Sequence, residues 1–392
     1  LKNGVVNRDV SGLGVDHLND VDLHDISQVE IVKGPSSLLY ANGTIGGIIN
    51  VVDDCISALN YELPEISVGY ETQSVNDGNA ENFNFKNNIN GFNVNFGYKN
   101  IDFGNYDIPS GAILHEEEDH DDHDDHDEDE HHDEDMGFLN NSDYAVEATK
   151  FGISKVGDWG YVGFSVDNLE SVYGIPFHGD EHGDEHGDEH GDEHGDEEEH
   201  DEHGEERIFS TTDSESFTIK GSYNINGSLI NKIDFNYRDS DYSLTEAHEE
   251  EEHHEEDEHD EEEEHEEHAP TVFMNEAVEY GATFDISNDS STQKVVVNFV
   301  DEDNSIVGEE AFMNPANSKE FTIGYYLSKD LGIYDLDVGF RHDQIERSGS
   351  VTEEEHDDDH GDDHGDEHGD EHGDEHGEVD YYNIDDLSLI HI

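Results

Sequence analysis

Twenty-five of the 29 histidines in this 392-residue chain fall in four tracts, 115–135, 178–206, 248–268 and 353–378, which are otherwise almost entirely Asp, Glu and Gly. Two tracts are built on the four-residue unit His-Gly-Asp-Glu, as in His182–Glu193 and His364–Glu375. Neutral imidazole beside carboxylate is the donor set of Zn²⁺, Ni²⁺, Co²⁺ or Cu²⁺. Calcium and magnesium take oxygen ligands and gain nothing from the histidines. One Cys and three Met argue against a Cu(I) specialist. The candidate ligands are His115, His120, His123 and His126; His178, His182, His186, His190 and His194; His253 and His254; and His364, His368 and His372. A glycine in every fourth place opposes helix, and dense like charge opposes compaction, so an extended chain with many weak, exchangeable sites is expected. A solvated polyanion would explain the acids but not the regularly spaced histidines.

Such loops cannot hold a preorganised catalytic site, and no His-Glu-x-x-His motif occurs, so an enzyme is not expected. The net charge of -89 is concentrated: the tracts hold 61 acidic residues and no Lys or Arg, leaving 44 acidic and 16 basic residues over the other 295 positions. That remainder is ordinary enough to fold, although the whole-chain values alone would suggest disorder. Nucleic acid is excluded as a partner, because its phosphates need a basic surface. With a single cysteine, Cys55, no disulfide can form within the chain; a small buried hydrophobe is the expected role.

The elements that must carry the tracts alternate in polarity. Phe92, Val94, Phe96 and Tyr98 alternate with Asn93, Asn95, Gly97 and Lys99, and the same period recurs at Val162–Val166, Phe217–Tyr223, Ile233–Tyr237, Phe321–Leu327 and Tyr334–Phe340. Period two marks strands with one apolar and one polar face. Asn90-Gly91, Gly157-Asp158, Asn226-Gly227, Asn288–Ser291 and Lys329–Gly332 read as tight turns. Long connections at about 101–143, 173–207, 244–270, 304–318 and 347–378 alternate with them. Strict alternation puts every short turn on one rim of an up-and-down sheet and every tract on the other, the arrangement of outer-membrane barrels. No apolar run reaches the ~18–20 residues of a membrane helix, but barrel strands need only ~9–11. The fold class expected is all-β: an antiparallel transmembrane barrel of 11 to 12 strands out of ~22, over residues 61–392, preceded over 1–54 by the end of an α+β plug domain. Tyr144, Trp159, Tyr161 and Tyr173, near strand ends, suit either interfacial girdles or ordinary strand composition.

Residues 26–52 run from Ile-Ser-Gln-Val-Glu-Ile-Val-Lys-Gly-Pro through Gly43-Thr44-Ile45-Gly46-Gly47 to Ile48–Val52. No Gly-Lys-Ser/Thr follows the glycines, so a phosphate loop is ruled out. The segment closely resembles the end of the plug domain of TonB-dependent outer-membrane receptors. Upstream, Asp9–Leu13 and Asp16-His17 resemble the zinc-receptor, ZnuD-type branch of that family, which implies Asp16 and His17 as metal ligands on a transport path. Tyr173–His178 resembles the opening of a metal-gathering extracellular loop. Asp239–Tyr242 with Glu246 resembles a strand end bearing an acidic ligand, but Leu244 stands where a histidine is expected.

The resemblance implies import of a divalent transition metal, zinc first, with no permanently bound cofactor: Zn²⁺, or Ni²⁺, Co²⁺ or Cu²⁺, is the cargo. Its implied partners are the metal ion, the TonB energy-coupling system and outer-membrane lipid. Uptake of a chelate or haem by the same fold, or a secreted acidic metal buffer, are the alternatives. The chain opens inside a domain, and Leu387–Ile392 resembles a translated sequencing adapter, so it reads as a piece of a longer protein.

Overall fold

The computed structural model describes residues 1–9, 26–41, 44–109, 112, 137–176, 207–248, 269–308, 311, 313–353 and 378–391. Strands β1 (Ile26–Val32) and β2 (Ile48–Asp53) pair antiparallel into a two-stranded sheet. Between them lie two short 3₁₀ turns, Pro35–Leu39 and Thr44–Gly46. Ser37 and Thr44 close this connection on itself: Ser37 Oγ donates to the Thr44 carbonyl at 2.6 Å and Thr44 Oγ1 to the Ser37 carbonyl at 2.9 Å. No α-helix occurs among the described residues, so the plug portion is seen only as strands and 3₁₀ turns. Nor is any described helix long and apolar enough to cross a membrane.

The rest of the chain forms strands β3 (Glu65–Gln73), β4 (Gly78–Ile89), β5 (Phe92–Phe103), β6 (Tyr106–Asp107), β7 (Phe138–Leu139), β8 (Tyr144–Gly157), β9 (Gly160–Gly174), β10 (Ile208–Asn224), β11 (Lys232–His248), β12 (Thr271–Asp285), β13 (Thr292–Val307), β14 (Ala316–Asp330), β15 (Asp335–Glu353) and β16 (Glu378–His391). Apart from the β6–β7 pair, these make one antiparallel sheet in simple sequential order, with β3 and β16 at its edges. The twelfth strand of the sheet is β16, which pairs with β15 from Glu353↔Glu378 to Phe340↔His391.

The expected parity of connections is present, with two refinements. The turn after β3, 74–77, is short yet lies on the rim of the long connections, and the link from β10 to β11 spans 225–231 rather than a two-residue turn. At Asn90-Gly91 both residues have positive φ, 52° and 83°, which matches strand twist in a two-residue hairpin.

The two faces of the sheet are reversed relative to a water-soluble protein. Asn93 and Asn95 are 2% and 1% exposed, whereas their neighbours Phe92 and Phe96 lie on the open face. Phe151, Val162, Phe164, Val166, Phe217, Phe299, Ile323, Val338 and Phe340 share that exposed outer face. No second layer of the described residues covers it. The opposite, inner face carries Asn, Ser, Thr, Gly and charged residues, and the plug portion packs there. Small wall residues make this possible. A Cβ on Gly339 would stand 2.7 Å from the Pro35 carbonyl oxygen, and one on Gly152 would strike the backbone and sulfur of buried Cys55. An apolar outside, a polar inside and a backbone paired on both sides in every strand between the two edges suit a hydrocarbon surround.

On the outer face, cross-strand register builds horizontal rows. Tyr237, Tyr280, Phe299 and Phe321 stand opposite one another on successive strands, with ring centroids 5.1 Å apart for Tyr280–Phe299 and 4.9 Å for Phe299–Phe321. Toward the long-loop rim the rows turn acidic: Glu147, Glu170 and Asp213 form one, and Glu215, Asp241, Glu276 and Asp303 another. This sharp change from aromatic to carboxylate marks the edge of the apolar band. Tyr173 is not part of that band: it is 3% exposed and inward, with Tyr144 packed against its cluster, because their strand registers place them on the plug side.

Candidate metal-gathering rim and inner wall

Each tract leaves from, and returns to, a paired stem on the long-loop rim. The first springs from the β6–β7 ribbon, closed by Ile108 N–H donating to the Gly137 carbonyl at 2.9 Å. The second follows Ile175, whose N–H donates to the Ile208 carbonyl at 2.9 Å, and Arg207 pairs with Asp143 beside it. The third begins at His248, the last residue of β11, and Glu246↔Thr271 is the last β11–β12 pair. The fourth is bounded by Glu353↔Glu378. Strands lie ~4.8 Å apart, so the first three stems succeed one another every ~10 Å around the rim. Asp16, His17 and the tract ligands His115, His120, His123, His126, His178, His182, His186, His190, His194, His253, His254, His364, His368 and His372 lie outside the described residues.

Glu246 is the one predicted ligand whose position is described. It points inward and is 7% exposed, between Ser210 on β10 and Thr271 on β12, both also buried. His248, two residues on, occupies the same face of β11 at the mouth of the third tract. Its pairing with Glu246 could have been read from period two, since Tyr242, Leu244, Glu246 and His248 must share a face. Ser171, Ser210 and Thr212 add buried hydroxyls that have no hydrogen-bond partner among the described residues. Among the described residues, no group of three or more His, Cys, Asp and Glu side chains is arranged to hold a metal. The wall thus offers a carboxylate and an imidazole, which alone do not complete a tetrahedral site.

Leu244 is fully buried, in a cluster with Tyr173, Ile175, Ile208, Tyr242, Phe273 and Ile306. Its departure from the family pattern therefore places core packing, not a ligand, at that position. Deeper on the inner wall, charge takes over. Arg8 of the plug portion reaches Glu279 at 2.9 Å and Glu302 at 3.4 Å, and Lys2 lies 3.4 Å from Asp167. Near the junction, Lys86 grips Asp54 at 2.7 Å, and Tyr61 donates to the Asp54 carbonyl at 3.3 Å. Burial, then the Asp54 charge, pushes the Tyr61 phenol up, so it remains a neutral donor.

Comparison with known proteins agrees with this architecture. Residues 1–48 match the TonB-dependent Receptor Plug Domain family. A hemin receptor of Yersinia enterocolitica is 38% identical over 65 residues, 16% of this chain and 9% of the receptor. The FrpB iron transporter of Neisseria meningitidis (F3-3 variant) superposes with a TM-score of 0.58 at 10% identity, over 94% of this chain and 51% of that one. The hemophore receptor HasR of Serratia marcescens, solved with its hemophore HasA and heme, gives a TM-score of 0.58 at 8% identity, over 94% and 47%. The copper transporter OprC gives a TM-score of 0.55 at 9% identity, over 83% and 43%. The chain spans about half the length of these solved relatives, and at such identities they share its fold. The first 48 residues are thus a match to the plug of TonB-dependent receptors, and the strands that follow have the fold of these solved relatives.

Proposed function

We propose that the whole receptor imports a divalent transition metal, zinc first, across the bacterial outer membrane. The observation that carries this reading is that the strand ends flanking all four histidine tracts lie on a single rim, opposite most of the short turns. That rim faces the outside of the cell, so the tracts gather dilute ions at the entrance, and their anionic field raises the local cation concentration. Glu246 and His248 on the wall, and Asp16 and His17 of the plug portion, receive the ion in turn. Energy from the TonB system then shifts the plug. OprC, similar in fold, is a copper transporter, which supports a transition metal as a cargo for this architecture. In a receptor-deletion strain under metal limitation, the intact gene should restore growth with zinc and the tract-deleted gene should restore it poorly. Equal rescue by both would remove the tracts from the mechanism, and rescue by another ion alone would reassign the cargo.

A second reading, uptake of haem or another iron chelate, draws on the similarity to the Yersinia hemin receptor and to HasR. Growth on haem as sole iron source separates the two. A secreted metal buffer would be recovered without detergent, which the apolar outer face argues against.

A further inference from the structure

The inner wall holds a guanidinium that is not fully satisfied. Arg238 points inward from β11 beneath the apolar cluster, and its Nε is buried with no hydrogen-bond partner among the described residues. No carboxylate of the described residues forms an ion pair with it. The nearby acids are otherwise engaged: Asp167 with Lys2, and Glu279 with Arg8. Arg238 instead lines a cavity of about 40 Å³ between the plug portion and strands β8 to β11, together with Lys2, Arg8 and Lys150. Ser214, Ser216 and Ser240 add hydroxyls, and Asp9 and Asp167 are the acids of the inner side. Asp241 borders the cavity from the outward-facing register of β11.

A buried N–H donor without an acceptor is costly, and a guanidinium offers five N–H donors and no acceptor. Arg238 feels the negative charges of Asp167, Glu279 and Asp53 without forming an ion pair with them, and Arg8 repels it, so either water or a small anion can accept from the free Nε. One water needs ~10–15 Å³ of such space, so this cavity takes a chloride-sized ion with one or two waters. It is too small for haem or a metal chelate. We propose that the cavity is a site for one small monovalent anion, held by Arg238 and bridging the first residues of the plug portion to the wall. The anion screens Arg8 from Arg238, and it must be released or carried along when that segment moves.

The test uses the complete detergent-solubilised receptor, with bromide as the probe. Crystals grown in bromide should show an anomalous peak within hydrogen-bonding distance of the Arg238 guanidinium, absent in Arg238→Gln. In solution the thermal midpoint should be higher in chloride than in gluconate at equal ionic strength. Arg238→Gln should weaken the halide response at least tenfold, while Arg238→Lys should retain part of it. The wild-type bromide experiment needs no variant to fold. Water density without an anomalous peak at saturating bromide, or identical wild-type midpoints in chloride and gluconate, would overturn the proposal.

Discussion

Arg341 on β15 donates from Nη1 to the main-chain carbonyl of Leu38, 3.0 Å away and 303 residues earlier in the chain. The same guanidinium holds both Asp343 carboxylate oxygens through Nε, at 2.8 and 2.9 Å, and Nη2 reaches Thr322 Oγ1 at 2.9 Å. Arg341 is 1% and Asp343 0% exposed, so this is a buried, fully engaged hub fastening the Pro35–Leu39 turn to the wall. Arg341→Leu strands a buried carboxylate and should cost about 3–5 kcal/mol. Thermal unfolding and limited proteolysis of the plug would register the loss. Arg341→Leu with Asp343→Leu should recover much of it, because no uncompensated charge then remains. A single variant as stable as wild type would show that the hub does not hold the plug.

The outer face carries the opposite situation. Glu215, Asp241, Glu276 and Asp303 stand directly across from one another on four adjacent strands, with no cation in the row. Like charges in such positions repel, typically by about 0.2–1 kcal/mol per pair. Glu276→Gln, in the middle of the row, should therefore raise the thermal midpoint, and the gain should shrink as salt screens the row. An unchanged or lowered midpoint at low salt would mean that the repulsion is already neutralised.

Metal capture should follow the protonation of imidazole. Its ordinary pKa is ~6.5, and neighbouring carboxylates favour the charged form, so protons displace metal as pH falls. Zinc affinity of a 178–206 peptide should drop sharply between pH 7.5 and pH 5. Equal affinity at both values would assign the binding to carboxylates.

On the wall, Glu246→Gln and His248→Ala should each reduce zinc-limited growth, and the double variant should not be worse than additive if both serve one ion. Uptake indifferent to both substitutions would confine capture to the tracts.

Much of this architecture was legible in the sequence because period two reports a two-faced strand directly. Phe92 to Tyr98 gave the faces of β5, and Asn90-Gly91 gave its turn. What failed to show was whatever depends on distant partners. Tyr173 reads like any strand-end aromatic until β10 and β11 bring Ile208 and Leu244 beside it. The pairing of Arg8 with Glu279 and Glu302, and of Arg341 with Leu38, joins residues hundreds of positions apart. Arg238 has the same period-two position as any lumen-facing polar residue, so nothing local distinguishes it. His248 was a different kind of miss, hidden inside a tract although its parity with Glu246 was plain.

Since every tract is spliced in between the ends of paired strands, gaining or losing a His-Gly-Asp-Glu unit leaves strand register untouched. A single-residue insertion within β11 would turn Glu246 and His248 toward the lipid. Tetrapeptide-length changes are therefore a nearly neutral dial, by which a lineage could tune its number of ion-catching groups to scarcity without redesigning the wall.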